Sequence, residues 1–354
     1  MSASARAHRL PAVQALLAVL VAVILAACSS GGTTSLPPGA TGSTVPAITA
    51  SPAPSATASP EPTPAPAFPI TITDDEGTVT EIATEPQSIV SLSPANTEIL
   101  FELGAGDRVV ATDNASDYPA EAADLPDVIA FEGFTVVVDI ERIVALEADL
   151  VVAAGLGFTP PDAVAQLREL GIPVIVVYAP TVEAVLSDIE LIGAAIGASD
   201  AATALTASMR AEIDAISAAV ASAGTPPRVF YEVGYDGITG LIYAPAAESF
   251  VAEMVTLAGA ETITTADPNS YEIPLEVLIT ADPEVIVLGV NAYYMPTAAE
   301  VTARPGWDAM TAVKSGDIRV VEDTEVTRPG PRLATGLRNL ASVIWPDVTL
   351  PVAP

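Results

Sequence analysis

The sequence predicts two α/β lobes, each built on a mainly parallel sheet, joined by one long helical stretch. Three observations lead there. Strand-like β-branched runs alternate with amphipathic helical patterns over most of residues 70–346, the pattern of a parallel sheet covered by helices. The segment Asp139-Ile-Glu-Arg-Ile-Val-Ala-Leu-Glu-Ala-Asp-Leu-Val-Val152 returns without a gap as Pro274-Leu-Glu-Val-Leu-Ile-Thr-Ala-Asp-Pro-Glu-Val-Ile-Val287, a short helix leading through an acidic break into a buried strand. Between the two copies, residues 182–223 are alanine-rich and carry no strand signal.

The chain has 354 residues, enough for two domains with sizeable cores. Residues 1–27 have the form of a signal peptide: Arg6 and Arg9 in a basic start, an apolar stretch from about Ala12 to Ala27, and Leu25-Ala-Ala-Cys28 at the end. From Cys28 to Ala67 the composition collapses to Ser, Thr, Pro, Gly and Ala, which cannot bury a core and reads as a disordered spacer. The first lobe is expected over 68–180, the connector over 181–224 and the second lobe over 225–354.

Within the first lobe, Ile70-Thr-Ile-Thr-Asp-Asp-Glu-Gly77 reads as a strand entering a turn, and Gln87–Leu92 as a second strand. Ser93 and Pro94 supply a cap and a first-turn proline for a helix ending at Gly104. A strand at 108–112, the repeated helix at 140–148, a strand at 149–154, a helix at 161–170 and a strand at 172–178 follow. The connector reads as one or two helices with weak points at Gly193 and Gly197. In the second lobe the pattern predicts a strand at 228–234, helices near 248–258 and 275–281, and a strand at 285–288. A turn at 304–307, a strand at 317–322 and a closing helix at 331–344 complete it.

The formal charge is −31, from 44 acidic residues against 13 basic ones, so the surface repels nucleic acid and anionic lipid, and both are poor partners unless a local basic patch intervenes. His8 and Cys28 are the single histidine and cysteine. Once the leader is removed, no imidazole and no thiol beyond the first residue remain. Intramolecular disulfides, histidine-based zinc sites and Ser-His-Asp or Cys-His catalysis are thereby ruled out. No catalytic residues, no resident metal site and no cofactor are expected.

Four segments resemble a known family, the substrate-binding proteins of ABC importers for iron-siderophores and cobalamin, of the vitamin B12-binding protein type. They are Val90-Ser-Leu-Ser-Pro-Ala-Asn-Thr-Glu98, Ser116-Asp-Tyr-Pro119, Ile140-Glu-Arg-Ile-Val-Ala-Leu146 with Asp149-Leu-Val-Val152, and Arg328-Pro-Gly-Pro-Arg332. Leu25-Ala-Ala-Cys28 resembles a lipobox, which implies a lipidated Cys28 and a body tethered outside the cell membrane. The resemblance implies two Rossmann-like lobes with mainly parallel sheets joined by one long helix, the helical-backbone periplasmic-binding-protein fold. It also implies a monomer that delivers a small-molecule metal chelate or corrinoid to an ABC permease dimer with its ATPase, any Fe or Co belonging to the ligand.

In that family one surface glutamate per lobe docks on permease arginines, and the matching positions are Glu141 and Glu276, the pair kept by the repeat. Phe131 matches a ligand-facing aromatic, whereas Ala115 and Ala154 stand where the family pattern has aromatics. Further ligand-binding candidates are Ser93 and Pro94 at a helix start, Tyr235, Tyr243, Tyr293 and Tyr294 with Met295, and Arg328 and Arg332 around a rigid Pro-Gly-Pro turn. A haem-binding importer component and a ligand-sensing surface module without transport are the alternative readings.

Overall fold

The computed structural model describes residues 68–132, 135–155, 158–292 and 294–352; the leader, Cys28 and the spacer lie outside the described residues. The strand expected at 70–77 is the first half of an antiparallel ribbon, β1 (Ile70–Thr73) with β2 (Val79–Ile82). Asp74 makes the turn by accepting the Thr78 N–H at 2.8 Å, and its other oxygen accepts from Val176 N–H at 3.1 Å and Arg168 Nη2 at 2.8 Å. A carboxylate in the turn thus staples the ribbon to the sheet edge.

The first lobe continues with β3 (Ile89–Ser91), α1 (Pro94–Glu102), β4 (Val109–Ala111), a hairpin of β5 (Ile129–Glu132) and β6 (Thr135–Val138), and α2 (Ile140–Ala145). It ends with β7 (Leu150–Ala154), α3 (Pro161–Glu169) and β8 (Val174–Val177). Its sheet runs in the order β4-β3-β7-β8, all parallel. Residues alternate between two buried faces: Ile89, Leu150, Val152 and Ile175 enter one apolar cluster, and Val90, Val151 and Val174 enter another.

The connector is a pair of helices, α4 (Val182–Ala195) and α5 (Ser199–Ala221), antiparallel across a turn at Gly197, whose φ is +78°. Thr206 bonds Glu190 at 2.8 Å and Arg210 pairs with Glu183, which sets the register. A methyl group on Gly193 would sit 2.4 Å from the Ala202 Cβ, so glycine permits the close crossing. The α5 helix starts beside the first lobe and ends against the second, where Ser217 bonds the Leu257 carbonyl at 3.0 Å. It is the long helix that joins the lobes.

The second lobe holds β9 (Arg228–Glu232), the short ribbon β10 (Gly234–Tyr235) and β11 (Ile242–Tyr243), α6 (Phe250–Leu257), β12 (Glu261–Ile263) and α7 (Leu275–Ala281). Then come β13 (Val285–Val290), α8 (Ala298–Thr302), α9 (Thr311–Ser315), β14 (Ile318–Glu322), α10 (Asp323–Thr327) and α11 (Leu333–Ile344). Its parallel sheet is ordered β12-β9-β13-β14, the same topology as the first.

The acidic break of the repeat has a physical role. Asp149 accepts the N–H groups of Gln87 and Ser88 at 2.8 and 2.9 Å, and Glu284 accepts that of Arg228 at 3.0 Å, so each carboxylate pins the start of the central strand of its lobe. One apolar cluster runs unbroken from Ile99 and Ile175 through Ile189 and Ile216 to Met254, Val287 and Leu337. The lobes therefore share a core.

Gly336 lies where α11 crosses α10, and a methyl group there would stand 2.0 Å from the Glu325 carbonyl oxygen. Backbone cannot yield as a side chain can, so Gly336→Ala is expected to destabilise the protein by about 2 kcal/mol or more, read by thermal unfolding.

Candidate functional site

A cleft of about 1110 Å³ opens between the lobes at the C-terminal ends of the parallel strands. The first lobe contributes Ser93 and Pro94 beyond β3, Ala154 and Gly155 at the end of β7, and Tyr178 beyond β8; the second contributes Asn291 beyond β13 and Asp323 beyond β14. Strand ends expose backbone and loops together, which is why side chains from distant segments converge here.

Four aromatic side chains wall the cleft: Phe158 and Tyr178 from the first lobe, Phe250 and Tyr271 from the second. Three of them are unusually open to solvent for their size, Phe158 at 49%, Tyr178 at 41% and Tyr271 at 51%. Partial burial pushes the Tyr178 phenol above its ordinary range, and the Tyr271 phenol across the cleft adds to the shift. Ala115 and Ala154, the alanines in aromatic positions, also line the cleft and leave its volume open.

The first-lobe rim is held by buried hydroxyls. Ser93 caps α1 by accepting the Asn96 N–H at 3.3 Å, and the Thr97 hydroxyl bonds those of Ser91 and Ser116, both at 2.8 Å. Ser116 donates to Asp113 at 2.6 Å. Burial pushes the Asp113 carboxyl up, and the Ser116 bond partly offsets it. This chain fixes the loop that presents Asn114, Ala115 and Asp117 to the cleft.

Arg328 and Arg332, both second-lobe residues, converge on one first-lobe carboxylate. Glu98, buried on α1, takes Arg328 Nη1 at 2.7 Å, Arg332 Nε at 2.9 Å and Arg332 Nη2 at 2.8 Å. Arg328 also reaches Asp117 at 2.8 Å, and Arg332 lies over the Tyr118 ring at 4.1 Å. The arrangement is a clamp between lobes.

On the α4 side of the cleft Asp188 is buried beside Asp75, whose carboxylate accepts the Tyr178 N–H at 2.6 Å. Burial first, then the neighbouring Asp75 charge and hydrogen bond, push the Asp188 carboxyl up to about 8.

Ser93, Pro94 and Arg328 line the cleft. Arg332 stands behind it on Glu98, and Tyr243 sits in the β11 ribbon outside the lining. Tyr235, Tyr294 and Met295 surround a separate recess of about 330 Å³. There Tyr294 bonds Glu232 at 2.6 Å, Arg304 pairs with the same buried carboxylate, and the Arg304 guanidinium lies 3.9 Å over the Tyr235 ring. Phe131 lies in β5 by its backbone, and its side chain and Tyr293 lie outside the described ones. Glu141 and Glu276 occupy the same second position of α2 and α7, exposed, with no ion pair among the described residues.

Phe158, Tyr178, Phe250, Tyr271 and Asp188 are cleft residues that motif reading did not single out. Tyr178 stands one residue past a strand end, a signal that could have marked it; the rest depended on how the lobes meet.

The periplasmic binding protein family matches residues 89–324. The chain is 34% identical over 286 residues to the uncharacterized ABC transporter substrate-binding lipoprotein YvrC of Bacillus subtilis, covering 79% of this chain and 87% of that one. It is 30% identical over 284 residues to a cobalamin-binding protein of Halobacterium salinarum, covering 78% and 74%. Among solved structures, the periplasmic heme-binding protein RhuT of Roseiflexus sp. RS-1 superposes with a TM-score of 0.63 at 27% identity, over 73% of this chain and 98% of that one. The vitamin B12 binding protein BtuF of Vibrio cholerae shares the fold, with a TM-score of 0.62 at 24% identity over 73% and 97%.

Two outcomes follow from the clamp and the buried acid. Glu98→Ala leaves two guanidinium groups facing each other and is expected to cost about 3 kcal/mol in urea denaturation, whereas Asp117→Ala, at an exposed carboxylate, costs less than about 1 kcal/mol. Asp188 is raised in the folded state, so the stability it contributes is fully present below its ordinary pKa of 3.8 and is lost as pH rises toward about 8. Asp188→Asn is expected to raise Tm relative to the wild type by roughly 5 °C at pH 8.5 and by much less at pH 4, measured by calorimetry.

Proposed function

The chain belongs to the periplasmic binding protein family, and from that premise we propose that it is the solute-binding component of an ABC importer, tethered outside the cell membrane by lipid on Cys28, that takes a bulky iron chelate or corrinoid into the interlobe cleft. The observation that carries this reading is the cleft, about 1110 Å³ with aromatic walls from both lobes. Pockets for ordinary small ligands run from about 300 to 1,000 Å³, so this one suits a larger guest. Rings on two sides suit a ligand with broad apolar faces.

Delivery uses the outer surface. Glu141 and Glu276 stand at equivalent helix positions, one per lobe, and each offers an exposed carboxylate to a basic pocket on a dimeric permease. The long helix and the shared core hold the two carboxylates at a fixed spacing, so the lobes dock as one body. The protein binds and releases its ligand without transforming it.

Calorimetric titration of the full-length protein in detergent with a cobalamin, a ferric hydroxamate and a ferric catecholate is expected to give saturable binding to one of them, weakened about tenfold by Tyr178→Ala. No binding to any of the three rejects the reading. The double variant Glu141→Ala/Glu276→Ala is expected to keep that affinity and lose uptake in cells; normal uptake would show that docking lies elsewhere.

A further inference from the structure

We infer that the cleft selects ligands that are uncharged or cationic and rejects their anionic counterparts, an inference that rests on the receptor reading above. Among the described lining residues the carboxyl and guanidinium side chains are Asp117, Asp188, Glu248, Asp323 and Arg328, and of these the Asp188 carboxyl, raised by burial to about 8, adds no fixed negative charge at neutral pH. Arg328 is the one cation among the described lining residues, and its guanidinium already spans Glu98 and Asp117. On the second lobe, which also carries Arg328, Asp323 accepts from the Tyr231 hydroxyl at 2.7 Å, the Thr327 hydroxyl at 3.2 Å and the Asn291 amide at 3.3 Å, none of which brings positive charge. Glu248 faces solvent at a φ of +64°, with no ion pair among the described residues.

No spare cation stands near. Of the ten arginines beyond the leader, nine are ion-paired with carboxylates. The tenth, Arg142, donates to the Asp127 carbonyl, and Lys314 donates to that of Ala309; neither lines the cleft. Helix starts can also hold anions. At the cleft, Ser93 and Ser249 each take one N–H, of Asn96 in α1 and Ala252 in α6, and Pro94 brings none, which leaves these helix starts fewer donors for an anion.

An anionic guest would therefore bring its charge against carboxylates in a partly desolvated space with no free counter-charge. The chain's formal charge of −31 opposes it during approach as well. Catecholate or carboxylate chelates, and haem with its propionates, fall on the rejected side. Amide-bearing corrinoids and hydroxamate chelates with a pendant ammonium fall on the accepted side, where Asn114 and Asn269 add neutral donors and acceptors.

The test uses two matched pairs of probes on the full-length protein in detergent: cyanocobalamin against its side-chain monocarboxylic acid, and ferrioxamine B against its N-succinyl derivative. The uncharged or cationic member of whichever pair binds is expected to bind at least about tenfold tighter than its anionic partner. Replacing two exposed carboxylates, in Asp117→Asn/Glu248→Gln, is expected to narrow that ratio severalfold, because Arg328 loses one of its partners. An anionic member that binds as tightly as its counterpart, or a ratio unchanged in the double variant, overturns the inference and leaves the receptor function standing. Failure of both pairs while a ferric catecholate binds overturns this inference and leaves the receptor function standing; failure of both pairs and of the catecholate rejects the receptor reading and this inference with it.

Discussion

Glu98 stands on the first lobe, while both guanidinium groups that hold it stand on the second. A buried carboxylate is costly unless its lone pairs are filled, and here three N–H donors from two arginines fill them. Such a pair is weak evidence of added stability against a hydrophobic alternative, but it is demanding in geometry: it forms at one relative position of the lobes. Beneath it the apolar core passes without a break through α4 and α5. The clamp and the core together tie the two walls of the cleft to one another.

That same clamp decides the electrostatics of the site. In a chain with few basic residues, every guanidinium committed to the fold is one withdrawn from ligand recognition. Arg328 reaches the cleft wall, yet its charge is balanced from behind by Glu98 and from the side by Asp117. What remains facing a guest is aromatic surface, amides and carboxylates. The residue that looks most like an anion anchor in the sequence is, in the folded chain, already neutralised.

The duplication reaches into backbone detail. Gly104 and Gly259 end corresponding helices with φ of +78° and +82°, and Glu147 and Asp282 take the same left-handed turn after α2 and α7 with φ of +52° and +45°. Both sheets place the first strand inside and the second at the edge. The lobes differ beyond these points: the first adds the β1–β2 ribbon, the β5–β6 hairpin and α3, the second the β10–β11 ribbon and the short α8, α9 and α10. Conserving strand order while varying loops leaves the outer glutamates equivalent and the cleft walls different.

The sequence by itself determined the architecture: two parallel-sheet lobes, their strand order of entry and the helical connector. These are local properties, carried by β-branched runs, helical spacing and caps such as Ser93. Short elements escaped it, among them β2, the β5–β6 hairpin, β12 and α8 to α10, because three to five residues carry no readable period. Of the ligand-facing candidates, Ser93, Pro94 and Arg328 stood at strand or helix ends that meet in the cleft. Tyr235 and Tyr294 stood in equally suggestive loops and instead surround the buried Glu232–Arg304 pair. Only the tertiary structure decided which aromatics face the cleft and which arginines are already paired. Glu98 and Arg332 are 234 residues apart, and a contact at that separation has no local signature.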